Sequence, residues 1–285
     1  MFYLRAPGLC PPCLLQRRFR EASILKICVL ASSSAGNCTF IGTDSTRILI
    51  DAGLSRKEAF ARLEGIGEDP TRLDAILITH EHCDHVSGLP ALARPRKDGK
   101  RAPAVYLTHL TAPTIDWGNG VRPELRCFQA GSAFQVGDLE IRSFTVPHDA
   151  IDPVGFTVTA RGVKIGVCTD LGYIPDSVKW HLRDTRFLIL ESNHDIEMLK
   201  VGPYPWSVKQ RVLSRKGHLS NDLVCDYIKG DLPPTVETLV LGHLSENNNH
   251  PAIVELSAKQ ALFCRGADPR LVIADPRRAS EAFSA

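Results

Sequence analysis

The six residues His80–His85, whose sequence is HEHCDH, follow the pattern HxHxDH, in which three histidines and one aspartate are spaced to bind metal ions. Imidazole nitrogens suit zinc and other first-row ions, and carboxylates suit harder ions. The apolar stretch 73–79 leads directly into this run and is typical of a buried strand. The run is therefore expected in a loop at the strand end, where alternate side chains can be aimed at a metal. Ten histidines in 285 residues rarely place three within six positions, so we interpret the run as a metal-binding motif.

Other polar residues follow strand-like segments elsewhere in the chain. They are Asp51, His148, Asp170 and His243. Each is a residue type that commonly ends a strand, so none is diagnostic alone. Their order along the chain, with the HxHxDH run between the first and second of them, is much more specific than any one member.

That order resembles the metallo-β-lactamase superfamily, and the resemblance extends over residues 25–275. Four further segments are similar to its single-domain YycJ/WalJ-type members. Their sequences are SSSAGNC (32–38), ESNHD (191–195), GHLSN (217–221) and GHLSENNN (242–249). The YycJ/WalJ-type family is regarded as phosphodiesterases that act as DNA exonucleases.

The resemblance implies two divalent metal ions, zinc or manganese, held by seven residues. The first ion would be held by His80, His82 and His148, the second by Asp84, His85 and His243, and Asp170 would bridge them. Asp51 would accept a hydrogen bond that fixes a histidine ring. Two ions can activate a bridging hydroxide that attacks phosphorus.

Other site residues are expected from the family-like segments. Asp84 and His218 are predicted to be catalytic, and Asn193 and His194 to support the site from behind. Substrate contacts are predicted for Ser32, Ser34, Asn37, Ser220 and Asn221. Simpler interpretations stay open, because the serine-rich loop could be a plain β-turn, and Ser220 or Asn221 could only cap a helix.

The function implied by the resemblance is metal-dependent hydrolysis of a nucleic-acid phosphodiester, as a 5′-to-3′ DNA exonuclease. An RNA-processing nuclease and a thioester or lactone hydrolase are alternatives, since each could use the same hydroxide. A diiron oxidoreductase of this fold tends to carry glutamate at the second histidine of the HxH pair, and His82 argues against that class. DNA is favoured over RNA as the partner.

Composition places few limits on this hypothesis. An apolar content of 44% and a charged content of 23% are ordinary for a globular protein. No segment reaches the ~20 apolar residues of a membrane helix, so no membrane association is expected. Nine cysteines without a repeated spacing suggest thiols in a reducing cytoplasm.

The first 24 residues differ from the remainder. They contain four arginines and one glutamate, a net charge of +3, so the remaining chain carries −1 of the total +2. Charge therefore neither supports nor excludes a nucleic-acid partner. We predict that residues 1–24 are a dispensable extension, disordered or non-native, and that residues 25–285 form the hydrolase domain.

Strand-like and helix-like segments alternate from Leu25 onward. The pattern predicts helices at 55–65 and 86–93, a hairpin from 154–159 and 163–168, and a last strand at 271–274. Mixed sheets flanked by helices suit an α/β (α+β) protein with the four-layer αββα sandwich that the resemblance implies.

Overall fold

Fourteen β-strands account for most of the regular structure in the computed structural model, which describes residues 25–94, 102–118, 122–275 and 277–284. They are β1 (Lys26–Ser33), β2 (Gly36–Gly42), β3 (Arg47–Ile50), β4 (Ala75–Leu77), β5 (Ala104–Thr108), β6 (Leu125–Phe128), β7 (Ala133–Val136), β8 (Leu139–Thr145), β9 (Val154–Ala160), β10 (Val163–Cys168), β11 (Phe187–Glu191), β12 (Thr238–Gly242), β13 (Arg270–Ile273) and β14 (Phe283–Ser284).

The strands form two seven-stranded sheets. Sheet A has the order β14-β1-β2-β3-β4-β5-β6, and sheet B has the order β13-β12-β11-β10-β9-β8-β7. Strands β3 to β6 run parallel in sheet A, and β10 to β13 run parallel in sheet B. The carboxyl ends of parallel strands meet at one edge of a sheet, which is where ligand sites of such sheets are usually built.

Eight α-helices connect or cover the sheets. They are α1 (Arg56–Gly65), α2 (Cys83–Val86), α3 (Leu89–Leu92), α4 (Asp176–Leu182), α5 (Ile196–Val201), α6 (Trp206–Val212), α7 (Asn221–Gly230) and α8 (Pro251–Arg265). Short 3-10 helices occupy Pro70–Arg72 and Ala112–Thr114. The start of α1 shows how the sequence sets these elements, since Ser55 Oγ accepts from the Glu58 backbone N–H and donates to the Glu58 carboxylate.

Three apolar clusters hold the layers together. The cluster between the sheets includes Ile50, Leu77 and Phe156, each no more than 1% exposed. A second cluster packs α4, α7 and α8 on the outer face of sheet B, and a third packs α1 and α3 on the outer face of sheet A. Both faces of both sheets are thus covered, which confirms the predicted αββα sandwich.

The structure differs from the sequence prediction at two elements. The helical turn expected at 86–93 is two short helices, and α2 begins inside the HxHxDH run, at Cys83. The strand predicted to be last is followed by β14, which pairs with β1. The prediction for residues 1–24 lies outside the described residues. Among the residues described, no helix is both long enough and apolar enough to cross a bilayer.

Candidate metal centre

The candidate residues converge because each follows the carboxyl end of a strand. His80 follows β4, Asp170 follows β10 and His243 follows β12. Asp51, Asp170 and His243 have φ values of 62°, 59° and 55°, the left-handed region that side-chain-bearing residues seldom adopt. Such backbone strain costs about 1–3 kcal/mol per residue and is concentrated at functional sites. Here the sharp turn aims each side chain across the edge of its sheet.

The first group of metal-capable side chains is His80, His82 and His148, from both sheets' edges. One ring nitrogen from each lies within 4.8 Å of the others. The ring centroids of His80 and His82 are 4.6 Å apart, and His148 Nε2 lies 3.2 Å from His82 Nδ1. Burial lowers the pKa of both His80 and His148, which favours the neutral imidazole that binds a metal.

The second group is Asp84, His85 and His243. The Nε2 atoms of His85 and His243 each lie 3.3 Å from Oδ2 of Asp84. Burial opposes ionisation of Asp84, but hydrogen bonds from His243 and His85 outweigh it and hold the pKa of this carboxyl well below its usual range. The group therefore presents a carboxylate and two imidazoles, a donor set suited to a divalent first-row ion.

Asp170 lies between the two groups. Its Oδ2 is 3.2 Å from His85 Nε2, and its Oδ1 is 3.8 Å from His148 Nε2. The side chain is 2% exposed. Each carboxylate oxygen thus faces a different group, which is the placement that a bridging ligand requires.

The hydrogen bonding of two buried atoms shows whether these residues suit a metal ion. His80 Nε2 and Asp170 Oδ2 have no hydrogen-bond partner within the described part of the chain. Buried polar atoms are nearly always paired, so unpaired ones call for a missing partner. His80 and Asp170 form a triad with His85, and one ligand atom of each residue lies within 4.8 Å of the others. A cation there would satisfy both atoms, so the residues present fit a metal centre.

Asp51 supports this centre from below. Its Oδ2 accepts a 2.8 Å hydrogen bond from Nδ1 of His85, and its Oδ1 accepts from the backbone N–H and the hydroxyl of Thr79. His85 is fully buried. The contact fixes the ring and leaves Nε2 as the atom facing the second group.

Glu191 is a functional residue that the sequence analysis missed. Its Oε1 accepts from Nδ1 of His243 at 2.7 Å and from Nδ1 of His218 at 2.8 Å, and its Oε2 accepts from the backbone N–H of Leu219 and Leu171. Although burial opposes its ionisation, His218 and the hydrogen bonds lower the pKa of Glu191 to about 2. The available signal was a glutamate ending the apolar run FLIL, where a buried charge requires partners.

His218 lies beside the candidate ligands. Its Nδ1 is 3.7 Å from Asp170 Oδ1, and its ring centroid is 5.4 Å from that of His243. Burial alone would lower the pKa of His218, but the neighbouring Glu191 carboxylate outweighs burial and raises it. The imidazole is thus favoured in its protonated form, which is the form that can deliver a proton.

The serine-rich loop divides into internal and exposed side chains. Ser32 Oγ accepts from the His243 backbone N–H at 2.7 Å and so holds the end of β12, and its predicted substrate contact stays a prediction. Asn37 Nδ2 donates to the Ser33 carbonyl and to Asp84 Oδ2, which makes it a brace for the second group. Ser34 is exposed at the turn and keeps its predicted role open.

Ser220 and Asn221, both predicted to contact the substrate, make hydrogen bonds inside the protein. Ser220 caps α7 by accepting from the Leu223 backbone N–H, which is the simpler interpretation of this segment. The buried amide of Asn221 bonds to the Ser192 hydroxyl and the Asn249 amide. The substrate contacts of both residues stay predictions.

Asn193 and His194 lie immediately behind the site. Asn193 Nδ2 donates to the His243 carbonyl at 2.9 Å and so secures that backbone turn. His194 is 1% exposed, and neither ring nitrogen has a hydrogen-bond partner among the described residues. Burial lowers the pKa of His194 to about 4, so the ring is neutral at pH 7.

Comparison with protein families gives a match that includes most of this centre. The model described as Beta-lactamase superfamily domain matches residues 46–243, which include all seven candidate ligands. The match covers more than half of the chain.

Similar proteins agree with this family. Exodeoxyribonuclease YycJ of Bacillus anthracis is 36% identical over 244 residues, which are 85% of this chain and 90% of that protein. Exodeoxyribonuclease WalJ of Streptococcus pneumoniae is 36% identical over 228 residues, 79% of this chain and 83% of that protein. The solved metallo-β-lactamase fold protein YhfI from Bacillus subtilis superposes with a TM-score of 0.69, at 15% identity, over 92% of this chain and 100% of that one. The chain thus belongs to the metallo-β-lactamase superfamily as a relative of YycJ and WalJ, and it is a metal-dependent hydrolase.

Proposed function

We propose that this hydrolase cleaves nucleic-acid phosphodiesters at a centre of two divalent ions, and that it acts as a DNA exonuclease. The observation that carries the proposal is the position of Asp170, which faces His85 with one oxygen and His148 with the other. A DNA substrate is supported by the similarity to YycJ and WalJ, both named exodeoxyribonucleases. Cleavage from the 5′ end is the direction we propose.

The ligand assignment follows the two groups of side chains. His80, His82 and His148 would hold one ion, Asp84, His85 and His243 the other, and Asp170 both. Imidazoles and carboxylates in this ratio accept zinc or manganese. Divalent ions held there would supply positive charge to a phosphate and lower the pKa of a water molecule.

The chain's own groups would organise the substrate and the protons. Asp84 is held ionised and is partly exposed, so it can accept a hydrogen bond from a water molecule and orient it. Ser34, exposed on the serine-rich loop, can donate its hydroxyl to a phosphate oxygen. Asp51 and Glu191 would keep His85 and His243 in fixed ring orientations.

His218 is proposed as the general acid. The Glu191 hydrogen bond occupies Nδ1 and raises the pKa of the ring, which leaves Nε2 to protonate the leaving alcohol. The ring is partly exposed, with 18% of the side-chain surface accessible, so a substrate oxygen can reach it. This arrangement favours a poor leaving group such as an alkoxide over a thiolate, which leaves without protonation.

The seven cysteines in the described part of the chain are free thiols, which supports a reducing compartment. We accordingly propose a cytoplasmic location.

The test is a comparison of substrates under one metal condition, first manganese and then zinc. Duplex DNA and single-stranded DNA labelled at either end, matched RNA, a thioester and a lactone are incubated with the protein. We expect fastest nucleotide release from DNA, with the 5′ label released first. His85→Ala serves as the control without the centre. Turnover of the thioester or lactone with no DNA cleavage would overturn the nuclease proposal. Faster cleavage of RNA than of DNA would make RNA the proposed substrate.

A further inference from the structure

Residues 196–217, here called the α5–α6 segment, carry an unusual share of the positive charge. The segment contains five Lys and Arg residues and one Glu, a net charge of +4. The full chain carries +2, so everything outside the segment sums to −2. A chain that is nearly neutral overall therefore has a local basic surface, and its polarity suits a polyanion.

Helix α6 is not built to complete the core. Among its seven residues, the only buried side chain is Lys209, whose Nζ donates to the Lys200 carbonyl. Trp206, the first residue of α6, is 67% exposed, and Val201 is 87% exposed. A tryptophan usually buries most of its large surface, so one left in water on a basic segment indicates a stacking surface for a partner.

The carboxyl end of the segment is fastened to the metal centre. The Gly217 carbonyl accepts from Nδ1 of His148 at 3.1 Å. A Cβ atom at Gly217 would lie 2.1 Å from the Val212 carbonyl oxygen, so only glycine permits this close turn. Arg211 donates to Asp149, whose other oxygen lies 3.4 Å from His148 Nε2.

A second attachment joins the segment to the loop that follows Asp170. A Cβ atom at Gly172 would lie 2.4 Å from the Arg215 carbonyl carbon, so the two backbones touch. The Arg215 guanidinium lies over the Tyr173 ring, 4.1 Å from its centroid. The basic end of the segment is therefore held in place at the rim of the centre.

The amino end of α6 is linked to the opposite rim. Tyr204 accepts a 3.4 Å hydrogen bond from Asn247 Nδ2, on the loop that follows His243. Both ends of the segment are therefore held by loops that follow candidate ligands.

We propose that the α5–α6 segment binds a single strand of nucleic acid and guides it to the metal centre, with a base stacked on Trp206 and phosphates contacting Arg215 and Lys216. The proposal refines the proposed function and rests on it. Arg211 is paired with Asp149, whereas the exposed Arg215 and Lys216 have no carboxylate partner among the described residues and can replace the counterions of the strand.

The experiment measures binding without cleavage, using the full chain in EDTA and a fluorescein-labelled 12-nucleotide oligothymidylate. Trp206→Ala is expected to weaken binding by roughly 5- to 150-fold, the usual effect of removing a base-stacking aromatic. Trp206→Tyr should restore most of the affinity. The double variant Arg215→Ala/Lys216→Ala should reduce the slope of log K against log salt by about 1.4, for two phosphate contacts to a single strand.

Trp180→Ala is the matched control, because Trp180 is 55% exposed on α4 and also lies near cations, Arg142 and Lys164, on another face. It should leave oligothymidylate binding unchanged. Equal binding by wild type and Trp206→Ala, or a loss confined to Trp180→Ala, would overturn the inference. If the wild-type protein cleaves DNA but oligothymidylate binding does not depend on Trp206, the inference fails and the proposed function stands. Tight, Trp206-dependent binding without cleavage in either metal would instead overturn the proposed function alone.

Discussion

His243 and Glu191 are joined by a 2.7 Å hydrogen bond from imidazole Nδ1 to carboxylate Oε1, and both side chains are almost fully buried. The bond holds His243 with Nε2 facing Asp84, although the backbone at His243 is in the left-handed region. A residue outside the predicted ligand set therefore determines the orientation of a candidate ligand.

Replacing this carboxylate is expected to weaken metal binding. Glu191→Gln removes the charge that the two imidazoles share, and loss of such a supporting group typically lowers metal affinity 10- to 100-fold. Competition with a chromogenic chelator measures the affinity. Glu237→Gln is the matched control, since Glu237 is exposed and pairs with Arg186 far from the centre. An affinity equal to that of the wild type would contradict the role given to Glu191.

Asp170 should be required for both ions. Asp170→Ala is expected to lose most bound metal and essentially all hydrolysis, because one carboxylate faces both groups. Elemental analysis gives the metal content per chain. Asp184→Ala tests for a backbone effect, because Asp184 has a similar φ of 62° but is exposed at a distant turn. Two retained ions with near-native turnover would show that Asp170 is not a bridge.

His218 should act on the substrate without holding metal. His218→Ala is expected to keep its metal and lose turnover by roughly 10²- to 10⁴-fold, the usual contribution of a positioned acid or base. Metal content and single-turnover rates with DNA are measured on the same sample. Joint loss of metal and activity would place His218 among the ligands, as its 3.7 Å approach to Asp170 would then explain.

The strands that could be predicted from the sequence are those formed by apolar runs. Strand β10 has the predicted bounds, and β9 is one residue longer than predicted, because largely apolar runs separated by turn residues mark buried strands. Strand β14 was missed because two residues carry no periodic signal. Helix α2 was misplaced because His82 precedes it without any side-chain cap.

For the site too, residues with a local sequence signal could be predicted, and residues that depend on long-range contacts could not. The seven candidate ligands could be chosen from order and residue type, and the structure brings them together. Glu191 and the buried network at Asn221 could not, because their partners lie 20 to 52 residues away in the chain. Ser220 follows the local rule for helix caps, as the simpler interpretation of its segment predicted.

His194 should make stability depend on pH. Burial holds its pKa at about 4 in the folded state, against 6.5 for a histidine in the unfolded chain, and its charged neighbours are Glu191, His218 and Asp195. Between these values the unfolded chain binds more protons, so stability is complete above pH 6.5 and falls as pH decreases towards 4. The difference corresponds to about 3 kcal/mol.

Urea unfolding at several pH values tests this. His194→Leu should remove that part of the pH dependence while keeping the fold, because neither ring nitrogen has a hydrogen-bond partner to lose among the described residues. His250→Leu is a control at an exposed histidine. An unchanged pH profile in His194→Leu would contradict the assignment.

Residues 1–24 are expected to contribute little. Leu25 is fully buried and directly precedes β1, so a chain that begins at Leu25 retains the first element of sheet A. Its Tm and its turnover should equal those of the full chain. A lower Tm, or a raised KM for DNA, would show that the arginine-rich residues pack on the domain or bind the substrate.

Each candidate ion group draws on both halves of the chain. His80 to His85 come from the edge of sheet A, and His148, Asp170 and His243 come from the edge of sheet B. Ions held by residues of both sheets would link the two sheets at this edge of the sandwich. Metal content would then show whether the two sheets pack in the correct register. A chain whose sheets were displaced by one residue would lose its metal ions while its secondary structure remained.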